Sequence, residues 1–357
     1  MDFKKAEILI CLGTGGVGKT TVAATLGLLA AKQGLKTLVM TIDPSKRLAQ
    51  TLGIEGKVGI SHVPFEGEKI PLDATVIDHK KVFDDFLRQA MEKKGGSDKI
   101  FKNKLYQELS TTLSGSQEFT CLEVLYQAHE SGKYDLVILD TPPASHAMDF
   151  LQAPQKLAGL FQKETVQWFT QPGESTSLIM RVFQSGTQKV LGLLEGITGS
   201  EFIGSLKEFF QGIGPWSSEI LNRTHQFHDL LVEETTHFYL VTAPDPVSLR
   251  ESKSLAKEVF KGGYHLKKII FNRAHQPWDE APKDSDLEGS KEMLQDLTKQ
   301  YKEFEVYFER RHDAVKAFMT ELPQKTKGVL LPEFEKDISN LETLNEFSKV
   351  FNDEKVL

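Results

Sequence analysis

Short unbroken apolar runs recur along the chain at residues 8–12, 37–42, 136–139, 238–242, 266–271 and 328–331, and most are separated by stretches whose apolar positions repeat at helical spacing. Runs of this length with no polar alternation suit strands buried on both faces, as in a parallel sheet covered by helices. The alternation predicts an α/β fold with a doubly wound, mainly parallel sheet. Such sheets bind ligands at the carboxyl ends of their strands. Gly13, Asp43, Asp140, Asn272 and Pro332 each end or follow one of these runs. Five dispersed segments are thus expected to meet in one crevice.

The pattern changes between residues 151 and 232. From Pro154 to Ile220 there are 11 charged residues in 67, about 16%, against 26% for the whole chain. No strand pattern stands out there, and glycines from Gly186 to Gly214 punctuate it, predicting short apolar helices with jointed connections. Residues 1–150 and 233–357 are therefore expected to form the core domain, with 151–232 inserted as a helical subdomain. Within the insertion, Leu157, Leu160, Phe161, Trp168 and Phe169 begin a series of apolar residues at helical spacings that continues to Phe210. A groove for the apolar face of a client segment and plain core packing both explain such stripes. Residues 286–319 are strongly charged and predict one or two surface helices.

Composition narrows the function. A net charge of −7 and scattered basic residues disfavour a surface built for nucleic acid or anionic lipid. Residues 340–357 are amphipathic but carry more acid than base, which disfavours a cationic membrane helix. No run of 18 apolar residues exists, so neither a spanning helix nor direct membrane insertion is expected, and a cytoplasmic location is. Cys11 and Cys121 are the two cysteines; they provide no disulfide framework and no C-x-x-C pair, and read as small buried hydrophobes.

The chemistry lies after the first strand. Gly13, Thr14, Gly15, Gly16, Val17, Gly18, Lys19 and Thr20 fit G-x-x-x-x-G-K-[ST], between an apolar run and a helical stretch over 20–33 that Gly34 closes. Glycines in such a loop let backbone N–H groups turn inward around a phosphate, and the helix start adds its positive dipole end. Lys19 then reaches the β- and γ-phosphates, and the Thr20 hydroxyl ligates Mg²⁺. A nucleoside triphosphate is the predicted ligand. Asp140 closes the strand run 135–140, placing a carboxylate beside this loop where it holds Mg²⁺ through water; capping of the next helix is the plainer role for it. Asp43, before Pro44 and Ser45, is placed to orient the attacking water or accept its proton and to approach the metal, although Asp-Pro-Ser also starts helices. Two prolines after Asp140 make a rigid turn suited to sensing the γ-phosphate.

Taken together, Gly13 to Thr21, Thr41-Ile42-Asp43-Pro44, Asp140-Thr141-Pro142-Pro143-Ala144-Ser145-His146 and Leu330-Leu331-Pro332-Glu333 resemble the ArsA-type ATPases. That family includes the arsenite-pump ATPase and the ATPase that targets tail-anchored membrane proteins. The resemblance implies a homodimer holding two ATP molecules with Mg²⁺, in which Asp43 is the hydrolytic carboxylate of the first switch and Asp140 lies near the metal in the second. It also implies that Asn272 reads adenine and that Pro332 and Phe334 flank the base, while Thr21 belongs to the phosphate loop. The segment 151–232 corresponds in position to the family's client groove, so a hydrophobic or tail-anchored protein is the implied client.

Three departures from the family pattern matter. Thr14 stands where family members commonly carry a lysine that crosses the dimer, and a hydroxyl cannot neutralise developing phosphate charge; Lys46 or Arg47 is the expected substitute. The zinc-binding C-x-x-C is absent, leaving dimerisation to packing or nucleotide. Cys11 and Cys121 lie on different elements and cannot supply the three close thiolates that a metalloid needs. The leading expectation is an ATP-hydrolysing dimeric switch for hydrophobic clients. The alternative is a metabolic ATP-dependent ligase or kinase acting on a small molecule.

Overall fold

The computed structural model describes residues 3, 5–42, 47–57, 59–65, 70–94, 101–103, 106–107, 116–142, 144–161, 208–209, 211–212, 214–275, 290–323, 326–351 and 355–356. They divide into two compact units: residues 1–76, 128–148 and 231–357, and residues 77–127 and 149–230. The second unit is wider than the segment 151–232 marked out by composition, because it also takes in residues 77–127.

The first unit is built on one sheet of nine strands in the order β3-β4-β2-β5-β1-β6-β7-β8-β9. These are β1 (Ile8–Gly13), β2 (Thr37–Thr41), β3 (Ser61–His62), β4 (Leu72–Val76), β5 (Leu136–Asp140), β6 (Thr236–Thr242), β7 (His265–His275), β8 (Lys327–Pro332) and β9 (Lys355–Val356). Every pair is parallel except the two at the edges, β3 with β4 and β8 with β9. The parallel, doubly wound arrangement expected from the apolar runs is therefore present. Strands β1, β2 and β5 are buried along their whole length, as helices on both faces require.

The helices, in chain order, are α1 (Lys19–Lys32), α2 (Arg47–Thr51), α3 (His79–Lys94), α4 (Ser116–Glu130), α5 (Ala144–Phe161), α6 (Ser217–Val232), α7 (Pro246–Lys261), α8 (Lys291–Thr320) and α9 (Leu341–Val350). Helix α1 is apolar on nearly all sides because it lies between the sheet, at β2 and β5, and the covering helix α9. Its Val22, Leu26 and Leu29 join Leu9, Val39 and Ile138 of the sheet and Phe347 of α9 in one core. The charged stretch near residue 300 forms the single 30-residue helix α8, with Phe308, Val315 and Phe318 buried. Helix α7 has Asp245 as its N-cap, accepting from the backbone N–H groups of Val247 and Ser248, and Pro246 in the first turn, where its missing N–H costs nothing.

The second unit contains an aromatic cluster in which Phe119 meets Phe83, Phe86 and Phe227 edge to face. Beside it the fully buried Glu123 pairs with Arg223 at 3.3 Å, whose guanidinium lies over Tyr126. Burial raises the Glu123 carboxyl pKa, against the opposing pull of Arg223 and Gln127. Trp168 and the other apolar stripe residues between 162 and 207 lie outside the described residues, whereas Phe209 is buried. Among the described residues, no helix is long and apolar enough to cross a membrane.

One titration in the sheet has a measurable consequence. His237 of β6 is held neutral by burial first and by the Lys267 charge next, against a hydrogen bond to the backbone of Glu234, and its pKa falls from 6.5 to about 4. Between those values the unfolded chain binds more protons than the folded one, so stability is complete above pH 6.5 and declines as pH falls towards 4. Because the ring is only half-buried and screened by solvent, the expected loss is about 1–2 kcal/mol. Comparing urea midpoints above pH 6.5 and near 4 should show His237→Gln losing that part of the pH dependence.

Candidate nucleotide site

The connections leaving β1 and β5 run to opposite sides of the sheet: β1 leads through α1 to β2, and β5 leads on to β6. Adjacent strands whose connections diverge leave a crevice at their carboxyl ends. Gly13 and Asp140 end those two strands.

From Gly13 the backbone turns through residues 14–18 into α1. Gly16 and Gly18 adopt left-handed conformations, φ 77° and 86°, which a side chain makes costly. Gly18 is also the N-cap of α1 and has no side-chain oxygen to accept the first-turn N–H groups. A Cβ on Gly15 or Gly16 would meet nothing within 4 Å, so these two glycines face open space. First-turn N–H donors, which have no partner within the helix, a helix dipole and the open space at Gly15 and Gly16 together make an anion cradle.

Asp140 is the electrostatic centre of the site and is fully buried. In register it pairs with Cys11 of β1 on one side and Thr41 of β2 on the other. The Thr20 hydroxyl donates to its Oδ2 at 2.7 Å and the Thr41 hydroxyl at 3.2 Å. The Lys19 ammonium, 8% exposed, stands 3.9 Å from Oδ1. The lysine beside Oδ1 offsets the burial of this carboxylate, and both hydroxyls donate to Oδ2. Burial, reinforced by the adjacent Asp140 charge, pushes the Cys11 thiol well above its ordinary range, so it remains a protonated small hydrophobe.

At the other end of the crevice, Asn272 lies in the irregular part of β7, where the pairing with β8 shifts between Phe271 and His275. Its Nδ2 donates to the Val17 carbonyl of the phosphate loop at 2.9 Å, and its Oδ1 accepts the Arg273 N–H at 3.1 Å. Pro332 ends β8 opposite His275. Phe334 is half-buried, with its ring 5.3 Å from that of Phe347.

Lys19 and Thr20 thus contact Asp140, Asn272 contacts Val17 in the loop just before them, and Pro332 lies in register beside the strand that carries Asn272. Thr21 is in the first turn of α1. Thr14 is buried, and its hydroxyl has no hydrogen-bond partner among the described residues. Asp43 and Lys46 lie outside the described residues, whereas Arg47 opens α2 and is exposed. Sequence reasoning missed Thr41 as a partner of Asp140, although its place as the last residue of β2 was a usable signal. It also missed Arg273, whose φ of 55° makes it the one non-glycine residue with positive φ among those described.

The donor set fits Mg²⁺. Thr20 and Asp140 offer hard oxygens side by side, and Mg²⁺ in nucleotide sites takes one or two protein oxygens with water and substrate phosphates. Among the described residues no group of three or more His, Cys, Asp or Glu gathers as an all-protein cage.

Comparison with known proteins agrees with this chemistry. The anion-transporting ATPase (ArsA ATPase) family matches residues 6–353. The chain is 27% identical to the protein named ATPase GET3B of Arabidopsis thaliana over 74% of this chain, and spans 63% of that relative's length. It is 26% identical to ATPase GET3 of Malassezia globosa over 78% of this chain and 75% of the relative. ATPase ASNA1 homolog 2 of Paramecium tetraurelia is also 26% identical, over 82% of this chain and 84% of its own length. With the family matched from the strand before the phosphate loop to beyond α9, the chain belongs to the anion-transporting ATPase family and is an ATPase.

Proposed function

We propose that this protein is a nucleotide-operated switch that binds ATP with Mg²⁺ at the crevice, hydrolyses it slowly and works as a homodimer on a hydrophobic protein client in the cytoplasm. The observation that carries the reading is the contact of the buried Lys19 and the half-buried Thr20 with the buried Asp140, beside the left-handed Gly16 and Gly18. Lys19 binds the β- and γ-phosphates, and the N–H groups of the loop from Gly13 to Thr20 surround the chain of phosphates. Thr20 and Asp140 hold the metal, Asp140 through water, with Asp43 nearby. Bound Mg²⁺ supplies positive charge against the phosphate oxygens. Asp43 orients the attacking water or takes its proton. Asn272 reads the base, and Pro332 and Phe334 flank it.

The client reading rests on the apolar composition of residues 151–232 and on the family resemblance. The family's ATPase chemistry and the low charge of that segment favour a switch over a phosphotransferase. The test is direct. Purified protein with ATP and Mg²⁺ should release phosphate without any small-molecule acceptor, and replacing ADP by a non-hydrolysable ATP analogue should change the apolar surface open to a fluorescent dye. Phosphate release that depends wholly on an added small acceptor would instead identify a ligase or kinase, and calorimetry showing no ATP uptake would end the nucleotide reading.

A further inference from the structure

Arg273 occupies a backbone region that L residues other than Asn and Asp rarely enter, at φ 55°. A residue held there marks a place where surrounding contacts over-determine the backbone. Two such contacts are present. On the amide side, the Arg273 N–H donates to Asn272 Oδ1 at 3.1 Å. On the carbonyl side, Arg311 of α8 donates from Nη2 to the Arg273 oxygen at 3.1 Å, a charge-assisted bond stronger than a neutral one.

Arg311 is itself fixed. Its guanidinium lies 4.9 Å from the centre of the Tyr307 ring, one helical turn earlier, and Nη1 donates to the Tyr307 hydroxyl. Its Nε is buried without a hydrogen-bond partner among the described residues, so the bonds the guanidinium makes there run from Nη1 and Nη2. Asp245, the N-cap of α7, also feels this charge: burial raises its carboxyl, but bonds from Ser248 and Val247 and then Arg311 bring the pKa below the ordinary value.

The contacts form one path. Arg311 holds the Arg273 carbonyl, the left-handed Arg273 presents its N–H to Asn272, and the fixed Asn272 amide donates to Val17 in the phosphate loop. We infer that Arg311 is a positioning residue of the nucleotide site: by holding Arg273 in the left-handed conformation it sets the Asn272 side chain and, through it, the phosphate loop. The inference rests on the nucleotide-binding reading above for its effect on ATP, but its effect on the loop is independent of ligand.

Arg311→Met, which keeps the bulk and removes the donors, should therefore act in two ways. Backbone amides of residues 13–20 in the nucleotide-free protein should exchange hydrogen about tenfold faster, a local loosening of about 1.4 kcal/mol. The KM for ATP should rise about tenfold while kcat stays within about twofold, the signature of lost uniform binding. Arg311→Lys, with its charge and a single donor group, should fall between. The decisive variant adds Arg273→Gly to Arg311→Met: glycine adopts the left-handed conformation without support, so both exchange and KM should return towards the native values. A fold-stabilising or ligand-contacting role for Arg311 predicts no such rescue. Unchanged loop exchange in Arg311→Met, or no rescue by Arg273→Gly, would overturn the inference. Altered exchange in a protein that binds no ATP would uphold the path to the loop and refute the nucleotide reading instead.

Discussion

Asp140→Ala is expected to destabilise the nucleotide-free protein by about 3–5 kcal/mol, because it removes one partner of a buried ion pair and leaves the other charge uncompensated. Lys19, 8% exposed and 3.9 Å from the carboxylate, is the charge left behind. The hydroxyls of Thr20 and Thr41 lose their acceptor in the same step. The measurement is the midpoint of urea unfolding without nucleotide. Asp140→Asn keeps an oxygen for the Thr20 hydroxyl and removes only the charge, so it should fall between native protein and the alanine variant. Adding Lys19→Met to Asp140→Ala removes the stranded ammonium and should recover part of the loss, with a coupling of roughly 1–3 kcal/mol. Phosphate release should fall about 100- to 1000-fold in both single Asp140 variants, the scale seen when one preorganised electrostatic partner is deleted. Native stability in Asp140→Ala would show that the carboxylate does not offset the buried lysine.

Gly18→Ala should weaken the phosphate loop in two ways at once. A side chain at φ 86° costs about 1–2 kcal/mol from its own backbone. The new Cβ would also lie 2.6 Å from Asn272 Nδ2. That amide cannot simply turn away, since it is bonded to the Val17 carbonyl and, through Oδ1, to the Arg273 N–H. Breaking the Val17 bond adds about 1 kcal/mol. The sum, about 2–3 kcal/mol, corresponds to a loss of roughly 30- to 150-fold in ATP affinity where the native loop is the binding form. Gly16→Ala is the internal comparison: its φ is 77° but its Cβ would meet nothing, so it should lose only the backbone share. In the chain carrying Gly18→Ala, the further change Asn272→Ala removes the collision. Equal affinities in the Gly16 and Gly18 variants, read by calorimetry with ATP and Mg²⁺, would show that the Asn272 contact does not constrain the loop.

Much of this site was legible without coordinates. The glycine spacing before Lys19 is local information, since left-handed turns and a helix start are set by neighbouring residues. Strand β5 was equally plain, four apolar residues followed by Asp140, and the carboxyl ends of parallel strands converge by topology. Other elements were not. Strand β4 carries Asp73 and Thr75 among its apolar residues, so no continuous run announces it. Strands β3 and β9 are two residues each and exist only through their neighbours. The charged stretch after residue 286 did not show whether it formed one helix or two, because α8 buries few residues along its length. Residues 77–127 join the second unit although their composition does not set them apart.

The sequence by itself determined the fold class, the phosphate loop and the strand ends around it, because each depends on residues that are neighbours along the chain. Tertiary structure alone decided which groups share a bond. Thr41 reaches Asp140 across 99 positions, Asn272 reaches Val17 across 255, and Arg311 reaches Arg273 across 38. Register and side-chain direction select such partners only after the sheet has closed, and hydrophobic periodicity, which acts without direction, carries no record of them.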